Sequence, residues 1–167
     1  MASYHSDPPV VPRNGHTLVT GVVARISGCA SQKEVSLEDQ EDHVKEVIAE
    51  VYDGPGEFRV IATKGKGERL DRPELADIEE MIRSRELDFL VMEDVGRMVR
   101  GAEAVRLWGL AVDQGTRCIA PNDCCDTADE TWEEDLLSAC RDHVSHNAHT
   151  SRRLKKKLMN RFKKFGG

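Results

Sequence analysis

Arg25 and Ser27 stand two residues apart at the end of a strand-like run, Val22-Val23-Ala24-Arg25-Ile26, and residues two apart on a strand share a face. A hydroxyl is thereby set beside a fixed positive charge. The pairing suits attack on a phosphate, because a guanidinium binds the anion through two parallel N–H groups while the hydroxyl approaches phosphorus. An isolated Arg-x-Ser is a weak signal. It gains weight from Asp71-Arg72-Pro73-Glu74-Leu75 and from Gly96-Arg97-Met98-Val99-Arg100, which supply three more guanidiniums downstream.

Arg25-Ile26-Ser27, the Ser-Leu-x-x-Gln of Ser36–Gln40, the Arg-Pro-x-Leu of Arg72–Leu75 and the Arg-x-x-Arg of Arg97–Arg100 occur in the order and rough spacing of the serine site-specific recombinases. From about Gly21 to Phe165 the sequence resembles the catalytic domain of that resolvase/invertase superfamily, and the roomy loop before Ser36 looks more like its large serine recombinase branch. The resemblance implies that Ser27 attacks a DNA phosphodiester, leaving a 5′-phosphoserine link and a free 3′-hydroxyl until the ends are rejoined to new partners. It implies that Arg25, Arg72, Arg97 and Arg100 bind the phosphate and that Gln40 supports the site. No metal and no cofactor are implied, so stabilisation of the extra negative charge falls to the arginines. The implied partners are double-stranded DNA and further copies of the chain, as a homodimer assembling to a tetramer when active. DNA-binding domains beyond Gly167 and a bacterial or phage-encoded protein of the cytoplasm are also implied. The sequence departs from the family where an acidic residue usually precedes the Arg-x-x-Arg pair: Gly96 stands there, with Asp94 two residues before it. Val23 replaces a usual tyrosine, and Ala62-Thr63 occupies the place of an acidic residue after the second strand.

The elements that would position these residues alternate. His16–Ile26 carries Leu18, Val19, Val22, Val23 and Ile26, a β-branched run suited to a buried parallel strand. Gly28–Val35 reads as a loop, and Ser36 with Asp39 forms a near capping box for a helix to about Val51. Phe58–Ala62 predicts a second strand. Asp71 caps a helix with Pro73 in its first turn, running to about Arg85. Leu87–Met92 and Arg117–Ala120 predict a third and a fourth strand, separated by a turn at Glu93–Gly101 and a helix at Ala102–Gln114. This alternation predicts an α/β fold, an open, mostly parallel sheet of four to five strands with helices on both faces, where sites collect at the carboxyl ends of strands. Ser27 and Arg97 both follow such ends.

With 167 residues, 39% of them hydrophobic and 32% charged, the chain supports one ordinary domain plus peripheral segments. A mobile tail is expected at 1–15, where Pro8, Pro9 and Pro12 interrupt a polar stretch. The catalytic domain is expected at 16–130. A helix at 131–167, opened by a capping box of Thr131 and Glu134, is expected to pack on the body early, pair with another subunit in the middle and project a basic end. Its seam reads Leu137, Cys140, Val144, Asn147, Ser151, Leu154 and Leu158.

The net charge of −6 argues against a nucleic-acid partner until its distribution is considered. No acidic residue follows Asp142, while Arg152, Arg153, Lys155, Lys156, Lys157, Arg161, Lys163 and Lys164 supply eight cations, so the remainder carries −14. An acidic body with a basic arm follows, and the arm is either a DNA contact or a solvated helix end. No signal peptide and no run near the roughly 18 apolar residues of a membrane span are present, which predicts a soluble intracellular protein. Five cysteines without a Cys-x-x-Cys pair read as reduced thiols. His143, His146 and His149 fall three apart, but 300° steps spread the outer two across the helix and argue against a three-histidine metal site. Two other function classes stay open: an impaired DNA-binding or dimerisation module of the same fold, and a small-ligand doubly wound domain using the Gly65/Gly67 loop.

Overall fold

Val and Ile side chains on alternate sides of one strand require cover on both faces, and Leu18–Ile26 meets that requirement as strand β1. The computed structural model describes residues 9–26, 30–64, 73–97 and 102–143. β1 pairs in parallel with β2 (Gly56–Lys64) on one side and with β3 (Phe89–Met92) on the other. β4 (Arg117–Ala120) continues the parallel sheet beside β3, and the two-residue β5 (Cys125–Asp126) closes its edge antiparallel. The strand order is β2-β1-β3-β4-β5. This is the open, mostly parallel α/β sheet that the alternating pattern predicts.

Leu18 and Val22 of β1 face helix α1 (Ala30–Val51), whose Val44, Val47, Ile48 and Val51 bury against them together with Phe89, Val91 and Ile119. Val19 and Val23 face the opposite layer. There α2 (Pro73–Arg83), α3 (Ala102–Asp113) and α4 (132–143) pack Leu75, Ile78, Ile82, Leu107, Trp108 and Leu136 against Leu90, Met92 and Cys118. Gly21 marks a tight approach: a Cβ there would meet Leu87 Cδ1 at 3.0 Å and Leu90 Cδ1 at 3.2 Å. Trp108 of α3 stacks on Trp132 of α4 at 6.5 Å between ring centroids, which fixes the start of α4 to the body. Among the described residues no helix is long and apolar enough to cross a membrane.

Three local expectations are corrected. α1 starts at Ala30, so the segment read as the loop Gly28–Val35 is helical from its third residue and Ser36 lies inside the helix rather than at its cap. Ala30–Val35 contains no glycine or proline and several good helix formers, and its polar composition simply gives no apolar period to detect. In the acidic stretch 122–130, Cys125 and Asp126 form the short edge strand by pairing with Ala120 and Ile119. Arg117 holds Asp126 through Nε at 2.9 Å and a second guanidinium nitrogen at 2.6 Å. The buried face of α4 is Leu136, Ala139 and Cys140, whereas Leu137 is 38% exposed. The Thr131 hydroxyl bonds the Asp135 carboxylate at 3.0 Å, one residue beyond the expected Glu134.

Of the expected tail, residues 1–8 lie outside the described residues, and the chain from Pro9 lies on the body. The Arg13 N–H donates to Asp88 Oδ1 at 3.0 Å, and Val10 packs against the α1 layer. Asp88 is buried and also accepts from the Val19 N–H at 2.8 Å, so one carboxylate ties the start of β1 to the segment before it.

Candidate active site

β1 and β3 are parallel neighbours, so their carboxyl ends open on one edge of the sheet, where an open α/β sheet presents its ligand sites. Arg25 is the penultimate residue of β1. Arg97 closes a 3-10 turn, Val95–Arg97, that starts shortly after β3 and packs against β1. Two segments separated by some seventy residues of sequence, each bearing an arginine singled out by its motif, are thus brought together at that edge.

Gln40 is third at the site, and the pairing of β1 explains why it is needed. The Leu18 N–H bonds to Pro55, toward β2, while the Val19 carbonyl accepts from Asp88, toward β3, so odd-numbered residues of β1 turn their backbone groups to the β3 side. The β1–β3 ladder ends at the pair Val23 and Met92. Arg25, two residues on, has backbone groups aimed where no strand remains. The Gln40 amide fills that place: its Oε1 accepts the Arg25 N–H at 3.1 Å and its Nε2 donates to the Arg25 carbonyl at 3.3 Å. Gln40 is 3% exposed, so this is an interior contact, reached from the middle of α1. The Arg25 side chain remains partly exposed and is not consumed by the contact.

Ser27, Arg72 and Arg100 lie outside the described residues, as does the side chain of Arg97. In sequence Ser27 directly follows β1 and Arg72 directly precedes α2. The basic residues Arg152, Arg153, Lys155, Lys156, Lys157, Arg161, Lys163 and Lys164 are likewise outside the described set.

One group at this edge was not singled out from the sequence. Asp94, Asp123 and His143 converge with their donor atoms within 4.8 Å of one another. His143 Nε2 lies 3.0 and 3.1 Å from the two Asp123 oxygens and 4.0 Å from Asp94 Oδ1. A carboxylate only accepts, so Nε2 carries the proton and donates it to Asp123. A divalent ion with bonds of about 2.0–2.2 Å would have to open this pair before it could bind, and the geometry is that of a hydrogen-bonded histidine and carboxylate. Its signal in the sequence was hidden by distance, since Asp94 and His143 belong to different elements.

Cys118 and Cys125 are poor competitors for the nucleophile. Among the described residues Cys118, Cys124 and Cys125 form no disulfide with one another. Burial, reinforced by Asp123 and Asp135, pushes the Cys125 thiol up to about 12, and burial beside Asp126 raises that of Cys118 as well. Neither supplies a thiolate at neutral pH.

No model of a known protein family matches the sequence. Solved structures do match the fold. It is similar to the N-terminal catalytic domain of TP901-1 integrase, with 18% identity and a TM-score of 0.58 over 82% of this chain and 98% of that one. It is similar to a resolvase family site-specific recombinase from Streptococcus pneumoniae, with 20% identity and a TM-score of 0.54 over 86% and 99%. The C-terminal catalytic domain of ISC1926 TnpA, an IS607-like serine recombinase, matches with 19% identity and a TM-score of 0.52 over 86% and 99%. The chain has the fold of serine recombinase catalytic domains.

Proposed function

We propose that this chain is the catalytic domain of a DNA recombinase that cleaves and rejoins double-stranded DNA through a 5′-phosphoserine intermediate. The Ser27 hydroxyl attacks phosphorus, forming the Ser–O–P bond as the bond to the 3′-oxygen breaks. The proton lost by Ser27 is matched by the one gained by the 3′-hydroxyl, and the reverse attack by a 3′-hydroxyl on the phosphoserine rejoins a strand. Arg25, Arg72, Arg97 and Arg100 bind the phosphate and neutralise the charge that accumulates on it. Gln40 acts through the Arg25 peptide. Residues 16–130 form the catalytic domain, and the segment 131–167, of which residues up to 143 are described, joins copies into a dimer, then a tetramer, and lays its basic end on DNA.

The observation that carries this reading is the meeting of the Arg25 end of β1 with the Arg97 turn, with Gln40 closing the Arg25 peptide, in a sheet of recombinase type. Both segments carry arginines of the motif pattern, and the sheet order sets them at one edge. The test is a nicked double-stranded DNA substrate, from which the cleaved end diffuses away and leaves a covalent protein–DNA adduct. The adduct is expected from the unaltered chain and lost in Ser27→Ala with the fold retained. DNA binding without an adduct would favour the non-catalytic module, and an adduct persisting in Ser27→Ala would move the nucleophile elsewhere.

A further inference from the structure

The Asp123 carboxylate serves two masters at the carboxyl edge of the sheet. Its Oδ2 accepts the Val95 N–H at 2.7 Å, at the first residue of the turn that ends in Arg97. Both of its oxygens receive His143 Nε2 from α4. The neighbouring peptide reinforces the join, as the Asn122 N–H donates to the Glu93 carbonyl at 2.9 Å. Asp123 and His143 are both largely shielded, with side-chain exposures of 14% and 26%, so water competes weakly for these bonds.

We propose that Asp123 is a positioning residue for Arg97 and that His143 makes this positioning depend on where α4 sits. The inference rests on the recombinase reading only for its catalytic consequence. A free amide at the start of a 3-10 turn has no partner within the turn, and the Asp123 carboxylate supplies one with full negative charge. The same carboxylate has two oxygens and an imidazole donor across it, so His143 restrains its orientation. Withdrawal of His143 with α4 frees the carboxylate to turn, and the Val95 N–H loses its acceptor geometry. Asp94 Oδ1 lies 4.0 Å from the same imidazole nitrogen. The helix that carries the chain toward its C-terminal segment is therefore linked by two hydrogen bonds to a turn bearing a phosphate ligand.

The test compares Asp123→Ala, Asp123→Asn, His143→Gln and the Asp123→Ala/His143→Gln pair in the full chain, using nicked DNA and the exchange rate of the Val95 amide proton. Asp123→Ala is expected to slow adduct formation at saturating DNA by on the order of 10²-fold, the effect of a displaced catalytic group, while DNA affinity stays within about twofold. Asp123→Asn should recover part of the rate, because its amide oxygen still accepts from Val95. His143→Gln should cost about fivefold, and the double variant should be no slower than Asp123→Ala, since both act through one contact. Val95 exchange should accelerate in Asp123→Ala and in His143→Gln. Wild-type rates and unchanged Val95 exchange in folded Asp123→Ala and His143→Gln would overturn the proposal, as would losses that simply multiply in the double variant. If Asp123→Ala does not fold, Asp123→Asn and His143→Gln carry the same comparison. If the unaltered chain gives no adduct, the recombinase reading fails, and Val95 exchange in His143→Gln still decides whether α4 governs the turn.

Discussion

The side chain of Gln40 stands in for a missing strand beside Arg25, accepting its N–H at 3.1 Å and donating to its carbonyl at 3.3 Å. Gln40→Ala leaves both groups without that partner in a buried setting, which should cost about 1–3 kcal/mol of stability, read as a lower urea midpoint at unchanged slope. Gln40→Glu should rescue little, because one carboxylate oxygen can accept from Arg25 while the other faces a carbonyl with no proton to give. An unchanged midpoint in Gln40→Ala would mean that water replaces the amide at no cost.

Removal of the Arg25 side chain should behave in the opposite way. Arg25→Ala keeps the peptide that Gln40 binds, so the thermal midpoint should hardly move. Adduct formation should fall by on the order of 10²–10³, as expected when one transition-state charge donor is lost. Arg97→Ala should do the same. Arg25→Lys should recover only part of the rate, since an ammonium cannot meet a phosphate with two parallel N–H groups. Wild-type cleavage in either alanine variant would make that arginine structural.

The parts of the fold that were legible in the sequence are those where burial writes a pattern. Val22 and Val23 must both be covered, so β1 announces a two-sided sheet, and Ile78 and Ile82 at helical spacing announce α2. The start of α1 was illegible because Ala30–Val35 has no apolar period, and Ser36 imitates a cap. On α4 two registers share Cys140, one through Leu136 and one through Leu137, and spacing alone cannot choose between them; packing chooses Leu136. β5 exists because Arg117 holds Asp126, a contact no two-residue window can signal. At the site, Arg25 and Gln40 were marked by motif, but the reason for Gln40 appears only once the β1–β3 ladder is seen to stop at Val23. Asp123 and His143 carry no motif, and their partnership is set wholly by where α4 returns to the sheet edge.

Acid should weaken the join between α2 and α3 in a defined window. Glu79 accepts from Arg106 at 2.8 Å and from Arg83 at 2.9 Å, and these guanidiniums, Arg106 first, hold its carboxyl down to about 2 from an ordinary 4.5. A depressed carboxyl favours the folded state while it is ionised. Its contribution is therefore full above about 4.5 and fades as the pH falls toward 2. Solvent screening at this surface keeps the gain to about 1 kcal/mol or less. Glu79→Gln should lower the unfolding midpoint at pH 6 and leave it nearly unchanged at pH 2. An equal loss at both pH values would assign the effect to packing rather than charge.

The basic arm gives a prediction that depends on charge alone. If Arg152–Lys164 lies along DNA as a helix, only part of its eight cations can reach phosphate, because successive side chains on a helix point about 100° apart. With about four contacts, counterion release makes the log of affinity fall against the log of salt with a slope of about −3.6, at about −0.9 per contact. Changing the base sequence should matter little, since phosphate contacts carry no direct code. Replacing Lys155, Lys156 and Lys157 by glutamine should flatten the slope and weaken binding to every sequence alike, while adduct formation at saturating DNA stays near its original rate. On the proposed reading, phosphate contacts of the arm would set how often DNA is bound, and those of Arg25 and Arg97 what happens to it once bound. A salt slope untouched by the triple substitution would leave the arm solvated and assign the DNA contact to the sheet edge that bears Arg25 and Arg97.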